Sequence, residues 1–217
     1  GAMAAIEAAD HGVPVVVIRR GFAATAMSGS VIELNTVARW GRQVLGRDDS
    51  PAWALPLVDR FMAIMAESGV AYAGDPERWL TLANALGTIR KAQYAPLSMA
   101  GGDLALLDGA HLLVIGISGY PDFRADFISQ SLQHLAGAGL AQARFTTVAR
   151  EVALPEIRHE ANISSFDIAQ VLDASVACTS FAERVASAVI KTGATHIAFP
   201  PLLGWQNPAG VLAIVEA

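Results

Sequence analysis

Apolar residues come along this chain in two rhythms, unbroken aliphatic runs and stripes at helical spacing, and the two alternate. Val13-Pro-Val-Val-Val-Ile18 is an unbroken run of the kind shown by a strand buried on both faces. Ahead of it, residues 2–11 carry Ala at 2, 4, 5, 8 and 9, a small-residue face that lets a helix lie close to a sheet, closed by Gly12. After it, Gly21 to Ser30 reads as a sharp glycine turn and a hydroxyl-bearing loop. Apolar positions 31, 34, 37, 40 and 44 then read as a helix, and Arg47-Asp-Asp-Ser-Pro51 as a polar break. Leu57, Val58, Phe61, Met62 and Met65 mark an amphipathic helix stopped by Gly69. Val70 to Ala73 reads as a short strand, and Gly74 to Gly102 as irregular.

Further on the alternation is plainer. His111 to Ile117 predicts a strand, Phe123 to Leu135 a helix with Asp122 as its N-cap, and Ala143 to Val152 a strand. Ser164 predicts the cap of another helix, with Asp167 at the third position after it. Ser180 to Thr192 predicts a helix with Phe181, Val185 and Val189 on one face and Gly193 at its C-terminal end. His196 to Pro200 predicts the last strand. Strands that alternate with helices argue for an α/β chain with a mostly parallel sheet. The expected organisation has three parts. Residues 1–50 form a partial, Rossmann-like nucleotide-binding segment, because no first strand and no complete G-x-G-x-x-G precede the Ala-rich helix. Residues 51–104 form a helical and irregular connection, and residues 105–217 an α/β three-layer insert.

Composition narrows the function classes. Charged residues are 16% and apolar residues 53% of the 217, with mean hydropathy +0.41, which suits an extensive buried core or a surface that meets a partner. No apolar run approaches the roughly 18 residues of a membrane span, and no basic segment leads into an apolar one as in a signal peptide. The net charge of −5 and the scattered Lys and Arg exclude a nucleic-acid-binding surface. The single Cys178 excludes an intrachain disulfide and a cysteine zinc site, and fits a cytoplasmic location. His11, His111, His134, His159 and His196 have neither H-x-x-x-H nor H-E-x-x-H spacing, so no metal is expected. Walker A and G-x-S-x-G sequences are absent.

Several blocks in order carry a resemblance. They are His11-Gly12 leading into Val15-Val-Val-Ile-Arg-Arg-Gly21, Ser28-Gly-Ser30, Ala66-Glu-Ser-Gly69, Leu86-Gly-Thr-Ile-Arg90, Val114-Ile-Gly-Ile-Ser-Gly119 with Asp122-Phe123, Leu154-Pro-Glu156 and Phe166-Asp-Ile-Ala169. In this order and spacing the chain resembles the first half of the B subunit of the anaerobic glycerol-3-phosphate dehydrogenases, a flavoprotein family. The resemblance implies an incomplete Rossmann-like flavin-nucleotide domain holding FAD or FMN. It implies a small-molecule substrate oxidised at a secondary alcohol, and electrons passed through other dehydrogenase subunits to a membrane quinone. It places Gly1 at the last glycine of the dinucleotide fingerprint, where close helix–strand packing is needed.

The candidate residues follow. Gly21, Thr25, Ser28, Gly29 and Ser30 form a small, hydroxyl-bearing loop at the carboxyl end of the first expected strand, where open α/β sheets bind ligands, and read either as flavin contacts or as a plain turn. Arg19 and Arg20 stand where an acidic residue would meet a ribose, and an arginine there meets a phosphate instead. By the resemblance, Thr88 and Arg90 approach the substrate or flavin, Arg90 as a phosphate clamp; the plain alternative is a surface loop. Gly116-Ile-Ser-Gly119 reads as a second anion-binding turn or as a tight strand-to-helix turn, and Arg158-His-Glu160 as a substrate-facing cluster or a solvated turn. Two other functions stay open: a folded module that docks a partner through apolar helix faces such as residues 57–68, and a flavin oxidoreductase of the fumarate-reductase type.

Overall fold

The computed structural model describes residues 2–16, 31–46, 51–157, 163–200 and 213. The chain divides into two compact units, Gly1–Val31 and Ile32–Ala217.

In the first unit, helix α1 spans Ala2–Asp10, as its alanine content predicts. It closes in a Schellman motif: the Gly12 amide donates to Ala9 O (2.9 Å), the Val13 amide donates to Ala8 O (3.0 Å), and Gly12 takes φ 73°. The expected strand at 13–18 is corrected over its described part. Residues 13–16 form no strand, and Val13, Val15 and Val16 are 52%, 39% and 86% exposed. A strand needs a neighbour for its backbone groups, and no described residue pairs with this run.

The second unit opens with α2 (Leu34–Leu45) and α3 (Leu55–Glu67), both close to their expected spans. The stretch expected to be irregular is instead built from short strands. β1 (Tyr72–Gly74) pairs antiparallel with β4 (Tyr94–Pro96), and β2 (Leu80–Ala83) with β3 (Ile89–Ala92). A single-turn helix α4 (Leu97–Ala100) follows. These strands are too short to show a period, and β3 places Arg90 and Lys91 side by side on exposed positions. Buried polar side chains fix them. Asp103 is fully buried; it accepts from the Thr81 amide (2.9 Å), the Arg78 guanidinium (2.8 Å) and the Ala105 amide (3.3 Å). Buried Gln93 accepts the Leu34 amide at 3.0 Å, which satisfies a free donor at the start of α2 that Glu33 does not cap.

The remainder is a three-stranded parallel sheet. β5 (His111–Ile117) lies between β6 (Thr146–Val152) and β7 (His196–Ala198). Helix α5 (Ala125–Gly137) connects β5 to β6, and α6 (Ser165–Leu172) with α7 (Ser175–Thr192) connects β6 to β7. The chain therefore steps off β5 first to one side and then to the other, and its helices cover opposite faces of the sheet. Leu113, Ile115 and Ile117 pack with Ile168, Leu172, Phe181 and Val185 on one face, and Leu112 and Val114 pack with Ile128, Leu132 and Ala136 on the other. Burying each aliphatic side chain of β5 contributes roughly 2 kcal/mol before the ordering entropy is counted.

Two helix starts differ from expectation. α5 begins at Ala125; Asp122 is not its cap, because Phe123 is drawn into the core and the chain turns at Tyr120-Pro121 before helix begins. α7 begins at Ser175 behind Ala174, which offers no capping side chain and so gives no sequence signal. The capping box at Ser164 forms as expected: Ser164 Oγ accepts the Asp167 amide (3.3 Å) and Asp167 accepts the Ser164 amide (2.9 Å).

Candidate functional site

Gly1, Arg19, Arg20, Gly21, Thr25, Ser28, Gly29 and Ser30 lie outside the described residues, as do Arg158, His159, Glu160 and Asn162. Thr88 and Arg90 are described. Asn84 closes the tip of the β2–β3 hairpin: its Oδ1 accepts the amides of Leu86 (2.9 Å) and Thr88 (3.1 Å), and its Nδ2 donates to Thr88 Oγ1 (2.7 Å). Gly87 at φ 67° sits at the bend, where a Cβ would collide with Ser131 of α5. The Leu86-Gly-Thr88 block is thus ordered by its own turn, and Thr88 spends its hydroxyl there. Arg90 on β3 donates Nε (3.0 Å) and Nη2 (2.9 Å) to Glu33 Oε1, whose second oxygen accepts from Thr36 (3.1 Å). Its fork is engaged by a carboxylate, and its hydrogen-bond partner differs from that of Thr88.

A cleft of about 580 Å³ opens where β5 and β6 end. It is lined by Ile117, Ser118, Gly119, Tyr120, Pro121, Arg124, Glu151 and Ile163. Glu151, one of the lining residues, explains the glycine inside the aliphatic run of β5. Gly116 is the register partner of Glu151, and a Cβ there would collide with the Glu151 carboxyl. The strand gives up a side chain so that a carboxyl can lie over it. Beyond the strand, the Ser118 amide donates to Val152 O (3.0 Å), the Tyr120 amide donates to Ile117 O (3.0 Å), and Gly119 takes φ 84°. Gly116 and Gly119 therefore serve separate purposes, one making room and the other turning the chain. The amide of Ser118, between them, is spent on β6.

The electrostatics of the cleft centre on Glu151. Burial pushes its carboxyl above the usual carboxylate range, Asp126 pushes the same way, and Arg124 partly offsets them. Arg124 places Nε 3.2 Å and Nη2 2.9 Å from the two oxygens of Asp126, and this pairing holds the Asp126 carboxyl low. The Tyr120 phenol is raised by burial and by Asp122, against a hydrogen bond with Ser165. Chemically, this arrangement sets a titratable carboxyl beside apolar walls and a phenol ring, at the carboxyl edge of a parallel sheet where open α/β folds bind ligands. Among the described residues no group of three or more His, Cys, Asp or Glu can hold a metal ion, and no helix is long and apolar enough to cross a membrane.

Glu151, Arg124 and Tyr120 went unmarked in the sequence. The available signal was Gly116, a residue without a side chain inside a strand of large ones. Cys178 is buried on α7, and burial raises its thiol, which leaves it an unreactive core residue. Comparison with known proteins finds no matching family model and no matching solved structure.

Proposed function

We propose that the chain belongs to a flavin-dependent dehydrogenase subunit resembling the anaerobic glycerol-3-phosphate type, with the flavin nucleotide held by a partial Rossmann-like segment in residues 1–50. The observation that carries this reading is the ordered series of sequence blocks from His11-Gly12 to Phe166-Asp-Ile-Ala169. The described fold is compatible with it. The chain is α/β, the block at 114–119 forms the central parallel strand and the turn beyond it, and the block at 86–90 is an ordered hairpin tip and strand. In this reading FAD or FMN accepts the hydride from a secondary alcohol, and the protein contributes binding, orientation and electrostatics. Arg19, Arg20 and the Gly21–Ser30 loop would hold the nucleotide. Arg90 would meet a substrate phosphate only by exchanging Glu33 for it.

Equilibrium dialysis of the full 217-residue chain against FAD and FMN in parallel tests the proposal. Saturable binding of one flavin, weakened when Arg19 and Arg20 are both replaced by Ala, is the expected result. Binding of neither would favour the second reading, a partner-docking module. That reading has one observation behind it: Leu57 on α3 is 57% exposed, an apolar side chain on the helix proposed to dock.

A further inference from the structure

The outer edge of β6 is covered in part by side chains of the protein itself. In the parallel ladder with β5, alternate residues of β6 turn their backbone groups inward: the Thr146 amide donates to Ala110 O (3.0 Å), and Val152 O accepts from the Ser118 amide (3.0 Å). Residues 145, 147, 149 and 151 therefore turn theirs outward, and β6 has no strand beyond it among the described residues. Gln133 reaches this edge from α5. Its Oε1 accepts from the Thr147 amide (2.9 Å), and its Nε2 donates to Phe145 O at a longer 3.5 Å. A residue of an added parallel strand would bond the same two groups, accepting from the amide of residue 147 and donating to the carbonyl of residue 145. One side-chain carboxamide thus stands where a neighbouring strand's peptide groups would stand. One turn back on α5, Ser129 holds the position: Thr147 Oγ1 donates to Ser129 O (2.8 Å) and accepts from Ser129 Oγ (2.9 Å). Further along β6, the Arg150 guanidinium donates to Ala149 O (2.8 Å), another outward carbonyl.

We propose that Gln133 and Arg150 close the outer edge of β6 against strand addition, the excluded partner being the same edge of a second copy of this chain. An uncovered edge presents a row of donors and acceptors and is a template for another strand. β6 would be a good template: it is seven residues long and opens with three β-branched residues, Thr146-Thr-Val148. Two copies meeting at this edge about a two-fold axis would pair antiparallel. They would need the carbonyls of Phe145 and Ala149 and the amide of Thr147, which Gln133 and Arg150 occupy. Both covering residues are exposed, so their polar ends keep contact with water while they shield the backbone. The inference uses none of residues 1–50 and stands apart from the flavin reading.

Sedimentation equilibrium of the full 217-residue chain, with amide hydrogen exchange read at Thr147, Ala149 and Glu151, tests this. Gln133→Ala combined with Arg150→Ala should raise the weight-average mass above that of the parent chain at equal concentration. The amides of Ala149 and Glu151 should gain protection as that association proceeds. In dilute solution the Thr147 amide of Gln133→Ala should exchange about tenfold faster, the scale of one lost hydrogen bond. Gln133→Ala alone, at an exposed site, should raise the mass to a smaller extent, and it carries the test if the double variant does not fold. Gln133→Glu keeps the acceptor for the Thr147 amide and adds a charge that a second strand would have to bury, so it should match the parent. Ser129→Ala removes a bond to the same Thr147 and leaves the edge covered. It should also match the parent in mass, which separates strand pairing from loss of stability. A mass equal to the parent's in both the double variant and Gln133→Ala would overturn the proposal. Association without protection at Ala149 and Glu151, or equal association in Ser129→Ala, would do the same.

Discussion

The parallel sheet of β5, β6 and β7 and the short strands of residues 72–96 are held by opposite means. The sheet is held by area: β5 buries aliphatic side chains on both faces, and its neighbours follow in register. The short strands are pinned at points, by Asp103 under β2 and by Gln93 under α2. An apolar core loses stability in proportion to what is removed from it. A pinned region loses most when one buried acceptor goes, because several donors are orphaned together.

The largest test of this contrast is Leu113→Ala, a fully buried position on β5. It should cost about 3–4 kcal/mol through lost transfer energy and a residual cavity, read as a lower urea midpoint with an unchanged slope. Next comes Asp103→Ala, which orphans the Thr81 and Ala105 amides and releases Arg78. The cost should be about 2–3 kcal/mol, with Arg78→Ala costing less because its side chain is 55% exposed. If Asp103→Ala proves as mild as Arg78→Ala, the pinning account fails. The smallest effect is at the α6 start, where Ser164→Ala should cost about 1 kcal/mol.

That last site also fixes a pH dependence. The Ser164 side chain and amide hold the Asp167 carboxyl below its ordinary value. Its contribution is therefore present above the usual aspartate range and lost as the pH falls through the lowered value. Ser164→Ala should flatten the acid limb of the stability curve. An unaltered acid limb would mean that the capping box carries no pH-linked stability.

The same contrast explains what was legible in the sequence. His111–Ile117 could be read to the residue because a doubly buried strand announces itself as an unbroken aliphatic run. The Ser164–Asp167 cap was legible because capping has a fixed spacing. β2, β3 and β4 were not, because their order comes from Asp103, Gln93 and Asn84, single polar residues whose partners lie up to 59 positions away. Val13–Val16 shows the opposite failure: the run has the composition of a buried strand, but composition supplies no neighbour, and among the described residues none is there. The cleft was half legible. Gly116 and Gly119 stood out, while Glu151 looked like any charged residue near the end of a strand.

The placement of β5 sets the order in which this domain can be assembled. It is the middle strand of its sheet but the first of the three to leave the ribosome. Side-chain and backbone links from His111 reach forward 35 residues to Thr146 and 84 residues to Thr195. This aliphatic heptad therefore waits with one edge open until β6 arrives, and with the other open until β7 follows. Gly116 and the charged turn that follows it interrupt that heptad's apolar run, so the residue that makes room for Glu151 in the finished fold also weakens the strand's capacity for self-association during synthesis.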